Sequence, residues 1–379
     1  MNLAQLELKG YKSFHPHGQK IDFGPITILL GANGSGKSNL VSFFKMLNYI
    51  TTGGLQTFIG MQGTSNSLLY YGPKRTDKID WVLKFTQGQG QNLSTTSYEG
   101  RLTYGMPDRL FFSGEKVSFS KSDKLKPQEY YLDIGGSESA LSKDERKTSK
   151  VLFSALASIR AYQFHDTSDT AKIKANGYVD DARYLRSDAG NLAAFLRRMK
   201  SDTDSIKYYE RIIRHIRKVM PQFEDFDLEP ISLNQQYVRL NWVDKTRDYL
   251  FGPHQISDGS LRFMALTALL LKPPEKFPGV IVLDEPELGL HPLAIAELAG
   301  MIRTASKHSQ VIIATQSTRL VDEFDVDNLV IVEVESDESG PLSQFKSQFK
   351  RLDADILAGW LARYSLAELW EKNVFGGQP

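Results

Sequence analysis

The chain has 379 residues, 41% of them hydrophobic and 24% charged, an ordinary globular balance with ample apolar material for a core. That length exceeds the roughly 250–300 residues at which a single core stops growing, so one elaborated domain or a core with an insertion is expected. A net charge of +1, from 46 basic and 45 acidic residues, leaves no general footprint for nucleic acid, and the absence of cysteine excludes disulfides, thiolate zinc sites and a thiol nucleophile.

Residues 1–10 alternate like a strand and hold no apolar signal core, and no run approaches the ~18 apolar residues of a membrane helix. A soluble, cytoplasmic protein without a membrane partner is expected. Leu3–Leu8 and Lys20–Phe23 read as half-buried strands, and Ile26–Leu30 as a buried central strand that stops at glycine. Lys37–Ile50 reads as a helix, and the Gly- and Ser-rich Thr51–Ser67 as a loop. Strand-like pieces between Asp80 and Asp133 predict an antiparallel sheet. Ser137–Ile159 carries a helical rhythm, and His165–Ser187 is irregular. Asn191–Met199 and Ser205–Met220 predict two helices, the second ended by Pro221, which lacks the donor a helix interior needs. Tyr237–Val243 reads as a strand. Thereafter Leu261–Leu271, Gly279–Leu283, Leu293–Ser306, Val311–Ala314 and Leu329–Val334 alternate helix and strand, a second α/β half. The tail Asp353–Lys372 reads as helical. A doublet, Ser-Gln-Phe-Lys at Ser343–Lys346 and Ser347–Lys350, carries no assigned function.

Residues 31–38 read Gly31-Ala32-Asn33-Gly34-Ser35-Gly36-Lys37-Ser38, a complete G-x-x-x-x-G-K-[ST] loop between a strand and a helix. Glycines let amides approach an anion, and those amides with the helix N-terminus form a positive cradle for phosphates. Lys37 adds a point charge, the Ser38 hydroxyl is placed for magnesium, and Asn39 completes the candidate ATP-binding set. A second signal is Val280-Ile281-Val282-Leu283-Asp284-Glu285, a buried strand ending in two carboxylates. Ligands collect at strand C-termini in parallel sheets. Asp284 is the candidate magnesium ligand and Glu285 the base that polarises attacking water; a solvated acidic turn is the alternative for the pair alone. Ser257-Asp258-Gly259-Ser260 opens an apolar helix. Serine and glycine there serve equally as a cap or as an anion contact.

The order of these pieces resembles the ABC ATPase superfamily, and more narrowly the RecF/SMC-like branch in its standalone AAA-family ATPases of DNA repair and anti-phage defence. The matching residues are Gly10–Phe14, Gly31–Ser38, Ile256–Arg262, Val282–Pro292, Ala314–Ser317 and Tyr364–Trp370. The resemblance implies an α/β fold: an ABC-ATPase head of the P-loop NTPase class with an antiparallel β subdomain and a short helical insertion. It implies a first lobe over residues 1–165, the insertion over 166–221 and a second lobe over 222–379. ATP and Mg2+ are the implied cofactors. Ser257 and Gly259 would touch the γ-phosphate bound by a second subunit, giving a head-to-tail homodimer that sandwiches two nucleotides. Lys12 sits where related proteins carry a basic residue near the phosphates. Gln163 is the candidate glutamine that senses magnesium and the nucleophilic water, with a surface-loop glutamine as the alternative. A separately encoded effector, often a nuclease, is the implied partner.

Departures shape these expectations. Asp258 stands where transporters usually carry glycine, and Gln316 occupies the switch position in place of histidine. Glutamine hydrogen-bonds a γ-phosphate but takes no proton at neutral pH, which suggests sensing and slow turnover. The segment 188–220 is far too short for an SMC-length coiled coil. Arg197, Arg198, Arg211, Arg214 and Lys218 gather on the helix pair, either a grip for a nucleic-acid backbone or a solvated charged face. Asp325-x-Asp327 offers a nuclease-like acidic pair, but too little chain follows to build a nuclease. Two further readings stand beside the ATPase switch: a scaffold that holds ATP with little hydrolysis, and a transporter ATPase subunit.

Overall fold

The structure, a computed structural model, describes residues 1–88, 90, 93–121, 126–337 and 344–377. Among them, two six-stranded sheets frame the molecule. The antiparallel sheet runs in the order Gln19–Asp22, Asn2–Lys9, Lys78–Gln87, Ser94–Gly105, Arg109–Ser120, Gln128–Tyr131. The central sheet runs Gln344–Arg351, Leu329–Asp337, Ile26–Leu30, Gln310–Thr315, Val280–Asp284, Ile159–Tyr162. Its neighbours are parallel except the edge strand Gln344–Arg351, which folds back on Leu329–Asp337.

The central strands Ile26–Leu30, Val280–Asp284 and Gln310–Thr315 are buried throughout, because both faces of the sheet are covered. Alternate residues feed two cores. Ile28, Leu30, Ile281, Leu283 and Ile313 face the helices Leu192–Ser201, Ile206–Val219, Asp258–Leu270 and Pro292–Ala305. Leu29, Val280, Val282 and Ile312 face the helix Lys37–Thr51, which lies between the central sheet and the antiparallel one. The helix pair Leu192–Ser201 and Ile206–Val219 thus shares its core with the helix Asp258–Leu270.

The structure departs from the sequence reading at four places. Thr51–Ser67 is not a loop: Leu55–Met61 is a helix with Leu55, Phe58 and Ile59 buried. Its N-terminal amides of Leu55 and Gln56 donate to the Glu138 carboxylate at 2.9 and 3.1 Å, a cap supplied from 83 residues away. Tyr237–Val243 is not one strand. It splits into Asn234–Val238 and Asn241–Asp244, which join different three-stranded sheets. The tail breaks into Ala354–Leu361 and Leu366–Glu371, the second opened by a capping box between Ser365 and Glu368. Finally, most of the serine doublet forms the unforeseen strand Gln344–Arg351; Ser343 lies outside the described residues.

Candidate nucleotide and metal site

Four parallel strands end side by side at one edge of the central sheet. The register pairs Thr315 with Leu30, Asp284 with Ala314, and Leu283 with Tyr162. The segments that follow therefore converge: the glycine loop after Leu30, Glu285 after Asp284, Gln316 after Thr315 and Gln163 after Tyr162. Such an edge is where open α/β sheets hold ligands.

The loop has the backbone its sequence demands. Gly34 and Gly36 take left-handed φ values of 80° and 110°. A Cβ on Gly36 would lie 1.9 Å from the Ser347 hydroxyl, and one on Gly31 would lie 2.3 Å from the Val332 carbonyl. Lys37 is buried, and its ammonium donates to the carbonyls of Gly31 and Ala32 at 2.6 and 2.7 Å, across the mouth of the loop. Burial holds its pKa down, while Glu285, Asp284 and Glu287 oppose that shift. Asn33, Gly34 and Ser38 face solvent, and the Ser35 hydroxyl is buried without a hydrogen-bond partner. A strap holds the loop from outside. The Ser347 hydroxyl reaches the Ser35 carbonyl at 2.5 Å and the Ser13 hydroxyl at 2.7 Å, and the Asn39 amide donates to Ser13 at 2.7 Å.

Ser38 and Asp284, 246 residues apart in sequence, meet at 3.5 Å. A hydroxyl and a carboxylate are the hard oxygen donors that magnesium takes, and Ser38 is open to solvent, so the pair fits that ion. Burial pushes the Asp284 pKa up, with His165 and Lys45 opposing. Gln163 does arrive at this carboxylate, but through its amide nitrogen: Nε2 donates to Asp284 Oδ2 at 3.2 Å, and Oε1 accepts from the Lys45 ammonium at 2.7 Å. Glu285 takes a left-handed φ of 42°, and its amide donates to the Ala314 carbonyl at 2.8 Å. That turn sets Glu285 at the strand end, half-buried. Gln316 is exposed at the neighbouring strand end.

Lys12, in the turn after the strand Asn2–Lys9, packs beside the helix Lys37–Thr51. Its ammonium donates to Ser42 and to Gln62, both at 2.9 Å, and burial with the Lys45 charge lowers its pKa. Ser257 caps its helix through the Ser260 amide and stays exposed, and Gly259 is held against the Gly289 carbonyl, which a Cβ would approach to 2.3 Å. Among the described residues Ser257 and Gly259 make no hydrogen bond to residues 31–38 of the same chain.

The basic helix pair is neutralised only in part. Lys200 pairs with Asp225, Arg217 with Glu224, Lys218 with Glu297, and Arg197 reaches the Leu228 carbonyl and Glu229. Arg198 and Arg214 stay exposed and Arg211 half-buried. Asp325 precedes and Asp327 lies within the short turn Val326–Asn328, and no cluster of three His, Asp or Glu fit for a metal occurs among the described residues.

Sequence reasoning gave no site role to five residues of this region. Lys45 and His165 frame Gln163 and Asp284; Ser347 straps the loop; Glu287 bonds Thr315; Arg262 forks to the carbonyls of Phe164, His165 and Leu288 at 2.9–3.1 Å. Arg262 and Glu287 carried a sequence signal, their places in the matching segments Ile256–Arg262 and Val282–Pro292.

A family model described as "AAA domain, putative AbiEii toxin, Type IV TA system" matches residues 26–322, most of the chain. The chain belongs to this AAA-domain family. No curated protein sequence matches it. Among solved structures it is similar to an Smc head bound to the C-terminal winged-helix domain of ScpA, with a TM-score of 0.57, 16% identity, and 94% of this chain and 99% of that one covered. It is also similar to an Smc head with an extended coiled coil, bound to the ScpA C-terminal domain from Pyrococcus furiosus, with a TM-score of 0.55, 17% identity and coverage of 95% and 98%. The fold is thus that of SMC-type ABC ATPase heads, as the motif order implied. No helix among the described residues is long and apolar enough to cross a membrane.

Proposed function

We propose that this AAA-family protein is an ATP-driven dimeric switch. The observation that carries the reading is the division of the site. Gly31–Ser38, Asp284–Glu285, Gln163 and Gln316 end together on one sheet edge, whereas Ser257 and Gly259 stand apart with Ser257 exposed. Leu288 and Leu293, on the segment after the acidic pair, are 40% and 51% exposed, the kind of apolar surface a second copy would cover. Two heads placed head-to-tail would give each phosphate loop the Ser257–Gly259 helix start of its partner.

In this reading the amides of Gly34–Ser38 cradle the β- and γ-phosphates, and Lys37 leaves the Gly31 and Ala32 carbonyls to meet them. Magnesium, when bound, would neutralise phosphoryl charge at Ser38 and Asp284. Glu285 holds the attacking water in line and accepts its proton. Gln316 reads the γ-phosphate by hydrogen bonding alone. Closure follows ATP binding and reopening follows hydrolysis. The family's description names a putative toxin of a type IV toxin–antitoxin system, which supports a defence role. The similar Smc heads are bound to ScpA domains, which supports action through a partner protein, here a separate effector.

Glu285→Gln tests the reading. Turnover should fall at least a hundredfold, and the variant should elute as a dimer with ATP and a monomer without it. A monomer in both states would remove the sandwich. Equal, negligible turnover in wild type and variant would favour the second reading, a stable ATP-holding scaffold, which the proton-inert Gln316 motivates.

A further inference from the structure

Lys45 lies eight residues beyond Lys37 on the same helix, half-buried. Its ammonium reaches across to the strand Ile159–Tyr162 and donates to Gln163 Oε1 at 2.7 Å. The rest of the Gln163 amide is equally committed. Nε2 lies 3.2 Å from Asp284 Oδ2 and 3.2 Å from His165 Nδ1. His165 Nε2 lies 2.9 Å from the Asp284 carbonyl, and the Gln163 backbone amide donates to the Ser187 carbonyl at 3.0 Å. A neutral His165 protonated on Nε2 satisfies every one of these contacts at once. Rotating the amide by half a turn would set its NH2 against the Lys45 ammonium and its oxygen against the Asp284 carboxylate. Lys45 and Asp284 thus select the same orientation of Gln163, and Lys45 anchors its oxygen end.

We infer that Lys45 is a positioning residue of the magnesium site, acting through Gln163 on Asp284. By fixing the amide, it ties Asp284 Oδ2 to Gln163 and leaves Oδ1 turned toward Ser38, the other oxygen of the pair. Gln163 then serves the site as a donor to the carboxylate, with its own carbonyl oxygen held by the lysine. A plain charge effect of Lys45 on Asp284 would need no glutamine, so the two accounts separate in a double-mutant comparison. The inference rests on the proposed ATPase site and deepens it.

The test uses the full chain with Lys45→Met, Gln163→Leu and the double variant. Two quantities are read: ATP turnover, and the Mg2+ concentration giving half-maximal binding of a fluorescent ATP analogue. In the wild-type background Lys45→Met should lower turnover about tenfold, about 1.4 kcal/mol in the barrier. It should also shift half-saturating Mg2+ at least threefold, while analogue affinity in EDTA stays within twofold of wild type. In the Gln163→Leu background the same substitution should change either quantity less than twofold. Lys45→Arg, which keeps a donor for Oε1, should restore most of the turnover and guards against a mere folding defect. Equal losses in both backgrounds, or none in either, would overturn the inference. If wild type and Glu285→Gln turn over ATP equally poorly, hydrolysis fails as a function, and the Mg2+ titration still decides the role of Lys45.

Discussion

Glu287 is 8% exposed, and its Oε2 is buried without a partner, while the Thr315 hydroxyl donates to Oε1 and accepts from the Ser317 amide at 2.9 Å. Burial pushes its pKa up to about 7, with Glu285 and Asp284 adding to the shift and the Thr315 bond opposing it. The folded state therefore binds this proton more tightly than the unfolded chain does. Stability from Glu287 is complete below pH ~4.5 and is lost as pH rises through about 7, by up to about 3 kcal/mol. Glu287→Gln should flatten that slope: denaturant melts at pH 5 and pH 8 should differ less for the variant than for the wild type. A parallel pH dependence in the two proteins would contradict the assignment. Neither the burial of Glu287 nor its bond to Thr315, 28 residues on, was legible in the sequence, where it was one more acidic residue after a proline. The glycines were legible, because left-handed φ at Gly34 and Gly36 is a local demand that only glycine meets without strain.

At the scale of elements, the Arg262 side chain joins the helix Asp258–Leu270 to the site. The Arg262 guanidinium donates to the Phe164, His165 and Leu288 carbonyls and to the Thr167 hydroxyl, so it ties this helix to the Gln163 segment and to the loop after the acidic strand. Lysine has the charge but not the planar fork, so Arg262→Lys should lose about 1–3 kcal/mol of stability, and Arg262→Ala at least as much. Chemical denaturation measures this, and a Lys variant as stable as wild type would show that the fork is dispensable. Helices and buried strands were read well from periodicity, since a strand covered on both faces is continuously apolar. The helix Leu55–Met61 was not, because Gly, Thr and Gln obscure its pattern and its cap comes from Glu138. The edge strand Gln344–Arg351 was missed as well. Only the partner Leu329–Asp337 makes a strand of its polar residues.

The whole molecule presents half of each proposed site. A copy with Ser257→Arg keeps its phosphate loop and spoils its neighbour's site; a copy with Lys37→Met does the reverse. Each should be inactive alone, whereas an equal mixture should recover about a quarter of wild-type turnover, since half the dimers then hold one intact composite site. A mixture as inactive as its components would mean that the two surfaces never meet. By itself the sequence determined the phosphate loop, the acidic strand end and the α/β order that brings them to one sheet edge, because glycine geometry, strand burial and helix starts are local properties of a few adjacent residues. Tertiary structure alone decided what surrounds them. The bond from Lys45 to Gln163 spans 118 residues and that from Ser347 to Ser35 spans 312, and the register of parallel strands, not any local pattern, sets which side chains meet.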